Sequence, residues 1–336
     1  MSFKIRAARK EDHPEIMELA KIAGIGMSSL PQDADVLHAK IDNSILSFAG
    51  RPKNPKEESF LFVMEDMTTK RLIGTTGIIT HVGLSRPFYS YKLSIISQAS
   101  SSVGIYSMQH VLHMVNDYTG ASEVGSLFLH PDYRRDGMGK FLSRCRFMMI
   151  AEFEHLFSDV IISEIRGVQD SDGHSPFYDN LARHFFKMEF WKADYIYATQ
   201  GGQFIADLMP KYPIYVNLLP QAAQDVIGVP FAASGPAMHL LKTEGFNHEG
   251  YVDLFDAGPT MQAKRNVIKT VRKSKRDKIV AIREVSSEPY IISNTRLGDF
   301  MITRGRLEKQ EGGVAISPKT AAAINVKTGD TVRYVL

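Results

Sequence analysis

A single cysteine, Cys145, stands among 336 residues, so no internal disulfide can form. A reducing, cytoplasmic home is the expectation. No run approaches the ~18 apolar residues of a membrane span, and the first residues, Met1-Ser-Phe-Lys-Ile-Arg-Ala, lack the apolar stretch of a secretory leader. Strong charge is missing as well. Forty basic against 37 acidic residues leave +3, too mild a balance to argue for nucleic acid. The phosphate-loop string G-x-x-x-x-G-K-[ST] does not occur. The third glycine of a dinucleotide fingerprint is absent from both Gly137-Met-Gly-Lys-Phe-Leu142 and Gly24-Ile-Gly-Met-Ser-Ser29. No G-x-S-x-G elbow is present, and Asp170-Ser-Asp-Gly173 lacks the rest of a calcium loop and reads as a turn. His110 and His113, with Asp117 beyond them, have no clear third ligand, so no metal is expected.

What is there is an ordinary globular balance, 44% hydrophobic and 23% charged, long enough for two buried cores. Within it, Ser126-Leu-Phe-Leu-His-Pro-Asp-Tyr-Arg-Arg-Asp-Gly-Met-Gly-Lys140 carries an apolar strand into a glycine-containing loop that opens a long helix. Arg134, Gly137 and Gly139 stand as R-x-x-G-x-G. Glycines there let the backbone approach a ligand with its N–H groups outward, and the helix dipole adds positive field at the same point. The pattern suits a diphosphate, although an ordinary strand–turn–helix corner would read the same way.

Hydrophobic periodicity gives strands at Phe3–Ala7, Ser59–Glu65, Arg71–His81, Phe88–Tyr91, Glu123–His130 and Asp159–Ile165. Helices are expected over Glu11–Ile22, Asp33–Phe48, Ser107–Asp117, Gly137–Phe157 and, opened by Ser175-Pro176, to about Lys187. Loops are expected over Gly24–Pro31 and Pro52–Pro55, and a closing strand near Phe190–Tyr197. The helix Pro236–Glu244, Gly245 and the strand Gly250–Phe255 read as the closing half of a related unit. The basic run Lys264–Lys278 reads as a solvated helix face. From Ile279 short strands and turn signals predict a small β-rich cap. The expected domains are residues 1–200, 201–278 and 279–336. Cys145, among Phe141, Met148 and Met149, is expected to pack.

The strand, loop and helix resemble the coenzyme A loop of the GCN5-related N-acyltransferases. Longer strings are more specific. Ser126-Leu-Phe-Leu129, Arg183-His-Phe-Phe-Lys-Met-Glu-Phe190, Phe204-Ile-Ala-Asp-Leu-Met-Pro-Lys211, Gln224-Asp-Val-Ile-Gly228 and Gly250-Tyr-Val-Asp-Leu-Phe-Asp-Ala-Gly-Pro259, with Thr119-Gly120 and Ser28-Ser-Leu-Pro31, resemble the arginine N-succinyltransferase family. The resemblance implies an α/β acyltransferase fold with a mixed central sheet flanked by helices, a second acyltransferase-like half and the cap. It further implies succinyl transfer from succinyl-CoA to the α-amine of L-arginine, without metal, nucleic acid or membrane, in a homo-oligomer or beside a homologous subunit. Ornithine as acceptor, and a weakly active partner subunit, stay open alternatives. The family's succinyl-CoA contact falls on Leu127. Its proton-donating histidine does not carry over: Phe231 occupies that place, and the nearest histidine, His239, is no motif match.

The coenzyme is thus expected at Leu127, Leu129, Arg134, Arg135, Gly137, Gly139 and Lys140. An amine attacking a thioester needs a base, and Glu164 at its strand's end is a candidate, unless it only pairs with Arg166. Tyr178 holds the place of a general acid in related acyltransferases, with packing as its alternative. Arg166 is a candidate for the succinyl carboxylate. Asp253 and Asp256 are candidates for the acceptor's guanidinium, with turn capping as theirs.

Overall fold

The computed structural model describes residues 3–336 except 25, 26, 28, 55, 171 and 172. Parts of the expected loops Gly24–Pro31 and Pro52–Pro55, the string from Gly24 to Ser29 and the Asp170–Gly173 turn therefore lie outside the described residues.

The N-terminal strands are β1 (Phe3–Ala7), β2 (Ser59–Asp66), β3 (Leu72–Ile79), β4 (Ser90–Ser100), β5 (Ile105–Val115), β6 (Ser122–Leu129) and β7 (Val160–Glu164). Later come β8 (Ile214–Tyr215), β9 (Asn247–Val252), β10 (Pro259–Lys264), β11 (Lys275–Ile282), β12 (Pro289–Ser293), β13 (Met301–Gln310), β14 (Gly313–Ile316) and β15 (Thr331–Val335). They join in the order β12-β15-β11-β14-β13-β1-β2-β3-β6-β7-β10-β9-β4-β5-β8. A further β12–β13 pairing closes the last five strands of the chain into a small barrel, with its own core of Ile279, Ile292, Leu307, Ile316 and Val332.

Alternation along β2 sorts the two faces of the central sheet. Phe60, Phe62 and Met64 pack toward the helix α3, while Leu61 and Val63 pack under α1 and α2. Here α1 is His13–Ala23, α2 Ala34–Phe48 and α3 Met138–Glu152. Asp33 starts α2 by accepting from the N–H groups of Asp35 and Val36, both at 3.0 Å. Leu37, Ile41 and Phe48 then recur on its buried side. Nearly every residue of α3 is buried, Cys145 included. The remaining helices are α4 (Pro176–Asn180), α5 (Ala182–Phe186), α6 (Phe190–Gln200), α7 (Gln203–Leu208), α8 (Gln221–Gln224), α9 (Gly235–Glu244), α10 (Lys269–Lys273) and α11 (Pro318–Ala323).

Four expectations are corrected. Ser107–Asp117 is not a helix but most of β5, paired with β4 residue for residue from Ser90↔Val115 to Ser100↔Ile105. His110 and His113, three apart on a strand, therefore project to opposite faces. Phe190–Tyr197 is helix α6, not the closing strand. The closing strands are β10 and β9, β10 pairing with β7 and β9 with β10 in the same sheet, so residues 247–264 complete the sheet of the first unit rather than that of a second half. The basic run Lys264–Lys278 is not one helix: it spans the end of β10, a short turn, α10 and the start of β11.

Candidate active site

Among the described residues, the one parallel pairing in the central sheet is short. Strands β6 and β7 meet only at Ser122↔Ile161 and Glu123↔Ile162, although they run on to Leu129 and Glu164. Past that point they part, leaving the inner edge of β6 without a strand partner. Its other edge pairs with β3 through a bulge, where Ser126 and Leu127 together oppose Thr76 alone. Ser126 holds φ +52° there, and its carbonyl accepts from the Thr75 hydroxyl at 2.9 Å. The opening between the strands widens into a cavity of about 920 Å³ between α3 and α9.

One end of the cavity is the start of α3. Asp136 and Gly137 are both left-handed, at φ +52° and +69°, which turns the chain sharply into the helix. No side chain caps this N-terminus; the Met138 N–H donates to the Arg135 carbonyl at 2.9 Å, and the N–H groups that follow it are left without a capping side chain. Gly137, Gly139, Arg134, Arg135 and Lys140 all line it. Arg134 is folded back, donating from Nε to the Leu129 carbonyl at 3.0 Å, with its guanidinium over the Phe128 ring. An uncapped 15-residue helix start among cations is suited to a diphosphate. Leu127 and Leu129 line the adjoining wall.

The other end is acidic. Glu123, Glu164, Asp194, Asp253 and Asp256 line it, brought by β6, β7, α6 and the β9–β10 turn. Burial, reinforced by Asp253, Glu123 and the other acids, pushes the Glu164 carboxyl well above the usual range. Burial, then Asp253, lifts Asp194 to about 7 against the opposing pull of Arg166. Asp256 is raised well above its ordinary value by burial and Asp253. Burial raises Asp253 against the backbone N–H groups it accepts from, and it raises Glu123 with Lys40 pulling the other way. Groups in this condition ionise when a cation enters.

Asp253 and Asp256 are also braces. Asp253 accepts from the N–H groups of Phe255 and Asp256 at 2.7 and 2.8 Å. Asp256 accepts from those of Gly167 and Gly258, both at 2.8 Å. Gly167 and Gly258 pass so close that a Cβ on either would collide with backbone. Arg166 lies over the Phe231 ring, 4.8 Å from its centroid, and donates to Gln169 Oε1 at 3.1 and 2.6 Å. Among the described residues no ion pair joins it to Glu164. Both Phe231 and His239 line the cavity.

Tyr178 is the site candidate that the structure sets apart. Its ring is fully buried in the aromatic core with Phe186, Phe190 and Phe255. Its hydroxyl donates to the Met188 carbonyl at 3.1 Å, and it does not line the cavity. Burial drives its ionisation upward, and it reads as packing rather than as an acid. Glu123 and Asp194 were missed. Glu123 alternates with Gly125 and Leu127 on β6, a legible signal. Asp194 was hidden by the strand expected at Phe190–Tyr197, although Phe190 and Asp194 are one helical turn apart.

A mixed sheet opened between two parallel strands, with an uncapped helix start at its mouth, defines an acyltransferase of the GCN5-related fold acting on an acyl-CoA. Residues 3–270 match the family described as "Arginine N-succinyltransferase beta subunit", and residues 272–335 match its C-terminal domain. The chain is 38% identical to the arginine N-succinyltransferase of Yersinia pestis (strain Pestoides F), covering 99% of this chain and 97% of that protein. It is 39% identical to the arginine N-succinyltransferase subunit beta of Pseudomonas aeruginosa, covering 98% and 97%. The solved arginine/ornithine succinyltransferase subunit AI from Pseudomonas aeruginosa superimposes with a TM-score of 0.89 at 33% identity, covering 99% of this chain and 98% of that one. The chain belongs to the arginine N-succinyltransferase family.

Proposed function

We propose that this enzyme transfers the succinyl group of succinyl-CoA to the α-amine of L-arginine, opening the breakdown of that amino acid. The observation that carries the reading is the parting of β6 from β7. It leaves backbone donors facing a cavity with a diphosphate corner at one end and a cluster of carboxylates at the other.

The diphosphate lies on the N–H groups of Gly137, Gly139 and Lys140, flanked by the side chains of Arg134, Arg135 and Lys140. The thioester runs along β6 past Leu129 to Leu127, where the open backbone edge polarises its carbonyl. Glu164 removes a proton from the attacking amine, a task suited to a carboxyl that burial and neighbouring acids raise above its ordinary range. Nitrogen bonds to the carbonyl carbon, the oxyanion collapses, and the carbon–sulfur bond breaks. The proton taken by Glu164 leaves with the thiol, so no histidine is needed where Phe231 stands.

The guanidinium of the acceptor is met by Asp194 and Asp253, with Asp256 holding their turn. Arg166, embedded among these acids, takes a substrate carboxylate, either the succinyl one or that of the acceptor. The long β4–β5 ribbon exposes Ile95, Val103, Ile105, Tyr106 and Met108, which supports an oligomer. No helix among the described residues is long and apolar enough to cross a membrane, and a cytoplasmic home is proposed with the pathway.

The test is thiol release by the purified chain alone. Turnover is expected with succinyl-CoA and L-arginine, and loss of it when the acceptor's α-amine is blocked by acetylation. Turnover of Nα-acetylarginine, or none with any amine, overturns the reading.

A further inference from the structure

The bulge that opens the inner edge of β6 is held from the far side of the sheet. Lys40, on α2, reaches it and donates from Nζ to the Ser29 carbonyl at 2.5 Å and to Ser126 Oγ at 3.1 Å. Ser126 Oγ donates to the same Ser29 carbonyl at 2.8 Å, while the Ser126 N–H donates to Ser29 Oγ at 3.2 Å. Three of these hydrogen bonds, with a fourth from the Thr75 hydroxyl to the Ser126 carbonyl, thus converge on one non-glycine residue in a left-handed conformation, buried at 5% exposure. Such a conformation is strained and persists only where its surroundings over-determine it. Ser29, Glu123 and Ser126 all line the cavity, so the held residue lies at the site itself.

We propose that Lys40 is a positioning residue for the transfer: its ammonium pins the Ser126 bulge and so keeps the Leu127 edge of β6 open toward the thioester. The inference rests on the reading of the site as acyl-transferring and goes beyond it, because Lys40 is not part of the cavity wall. Its charge faces Glu123 on β6, and behind Glu123 stands Glu164 on β7. Burial brings the Lys40 ammonium down to about 8, with Glu123 opposing the fall. The clamp is therefore charged below that pH and loses its charge above it.

The test is a double-mutant cycle on the full chain, with kcat for arginine succinylation and Kd for CoA read separately. Lys40→Met is expected to lower kcat about 10- to 100-fold, the 1.4–2.7 kcal/mol of a lost charged hydrogen bond, and to leave Kd for CoA within twofold. Ser126→Gly removes the strain that the clamp must hold, so in that background Lys40→Met should cost less than threefold. Lys40→Arg retains charge at all accessible pH. It should recover most of kcat and move the alkaline loss of rate from near pH 8 to above 10. Equal loss from Lys40→Met in both backgrounds overturns the proposal, as does an alkaline limb unmoved in Lys40→Arg. The pH profile decides even if Lys40→Met fails to fold. A wild-type chain without turnover would instead refute the reading of the site on which the inference rests.

Discussion

Asp194 stands one helical turn beyond Phe190 on α6, in a cavity wall already crowded with carboxylates. Its carboxyl titrates near 7 rather than near 4 because burial and Asp253 disfavour its charge. The sign follows. Between those two values the folded chain binds more protons than the unfolded one, so the contribution of Asp194 to stability is fullest at low pH and is lost as pH rises toward 7. A bound guanidinium reverses the preference and expels the proton. Calorimetry of arginine binding at pH 7, in two buffers of different ionisation enthalpy, should therefore show about half a proton more released by wild type than by Asp194→Asn. Equal release, or net uptake, would remove Asp194 from the acceptor site. Phe231 belongs to the same neighbourhood in a different capacity. Its N–H donates to the Arg166 carbonyl at 2.8 Å and its ring supports the Arg166 guanidinium, so a residue unable to move a proton still holds that guanidinium in place.

At the scale of elements, the loop into α3 is the part most plainly written in the sequence. Gly137 must be left-handed, and the barrel strand β13 steadies the turn from outside: Arg304 donates from Nη1 to the Asp136 carbonyl at 2.8 Å. A β-branched residue at φ +69° is strained, and its side chain would enter the space the diphosphate needs. Gly137→Val should raise Kd for CoA on the order of 100-fold, about 2.7 kcal/mol, with the fold retained by circular dichroism. Unchanged affinity would unseat the loop from its role. The long helix, the first three strands and the β-rich cap were legible for the same reason: local periodicity and capping agree with the tertiary fold. The misread elements are those where context overrides the local signal. Ser107–Asp117 carries apolar residues at spacings that suit helix or strand, and only pairing along β4 decides. Phe190–Tyr197 is rich in aromatics, which favour strands, yet as a helix it turns Phe190 and Tyr197 into a core with Tyr178 and Phe255 and leaves Trp191 and Tyr195 exposed. The clamp on Ser126 was not legible at all, since Ser29, Lys40 and Ser126 are joined only by the fold.

The whole molecule is tied around α3. Its start lines the cavity, and its last residue, Glu152, is bridged by Arg333 at 2.8 Å and Arg276 at 3.4 Å from the barrel. Arg144, midway, donates to Thr270 Oγ1 and to the carbonyl of Leu336. The barrel also pairs with the central sheet through β13 and β1. The barrel therefore touches α3 at both ends, through Arg304 at the turn into it and through Arg276 and Arg333 at its last residue. The central claim is that the gap between β6 and β7 seats an acyl thioester whose coenzyme is gripped at the start of α3. A crystal structure of the chain soaked with succinyl-CoA and arginine tests it most directly. The account predicts diphosphate oxygens about 3 Å from the main-chain nitrogens of Gly137, Gly139 and Lys140, the thioester carbonyl against β6 at Leu127, and the acceptor's α-amine facing Glu164. A nucleotide bound elsewhere, with that corner free of phosphate, would contradict it.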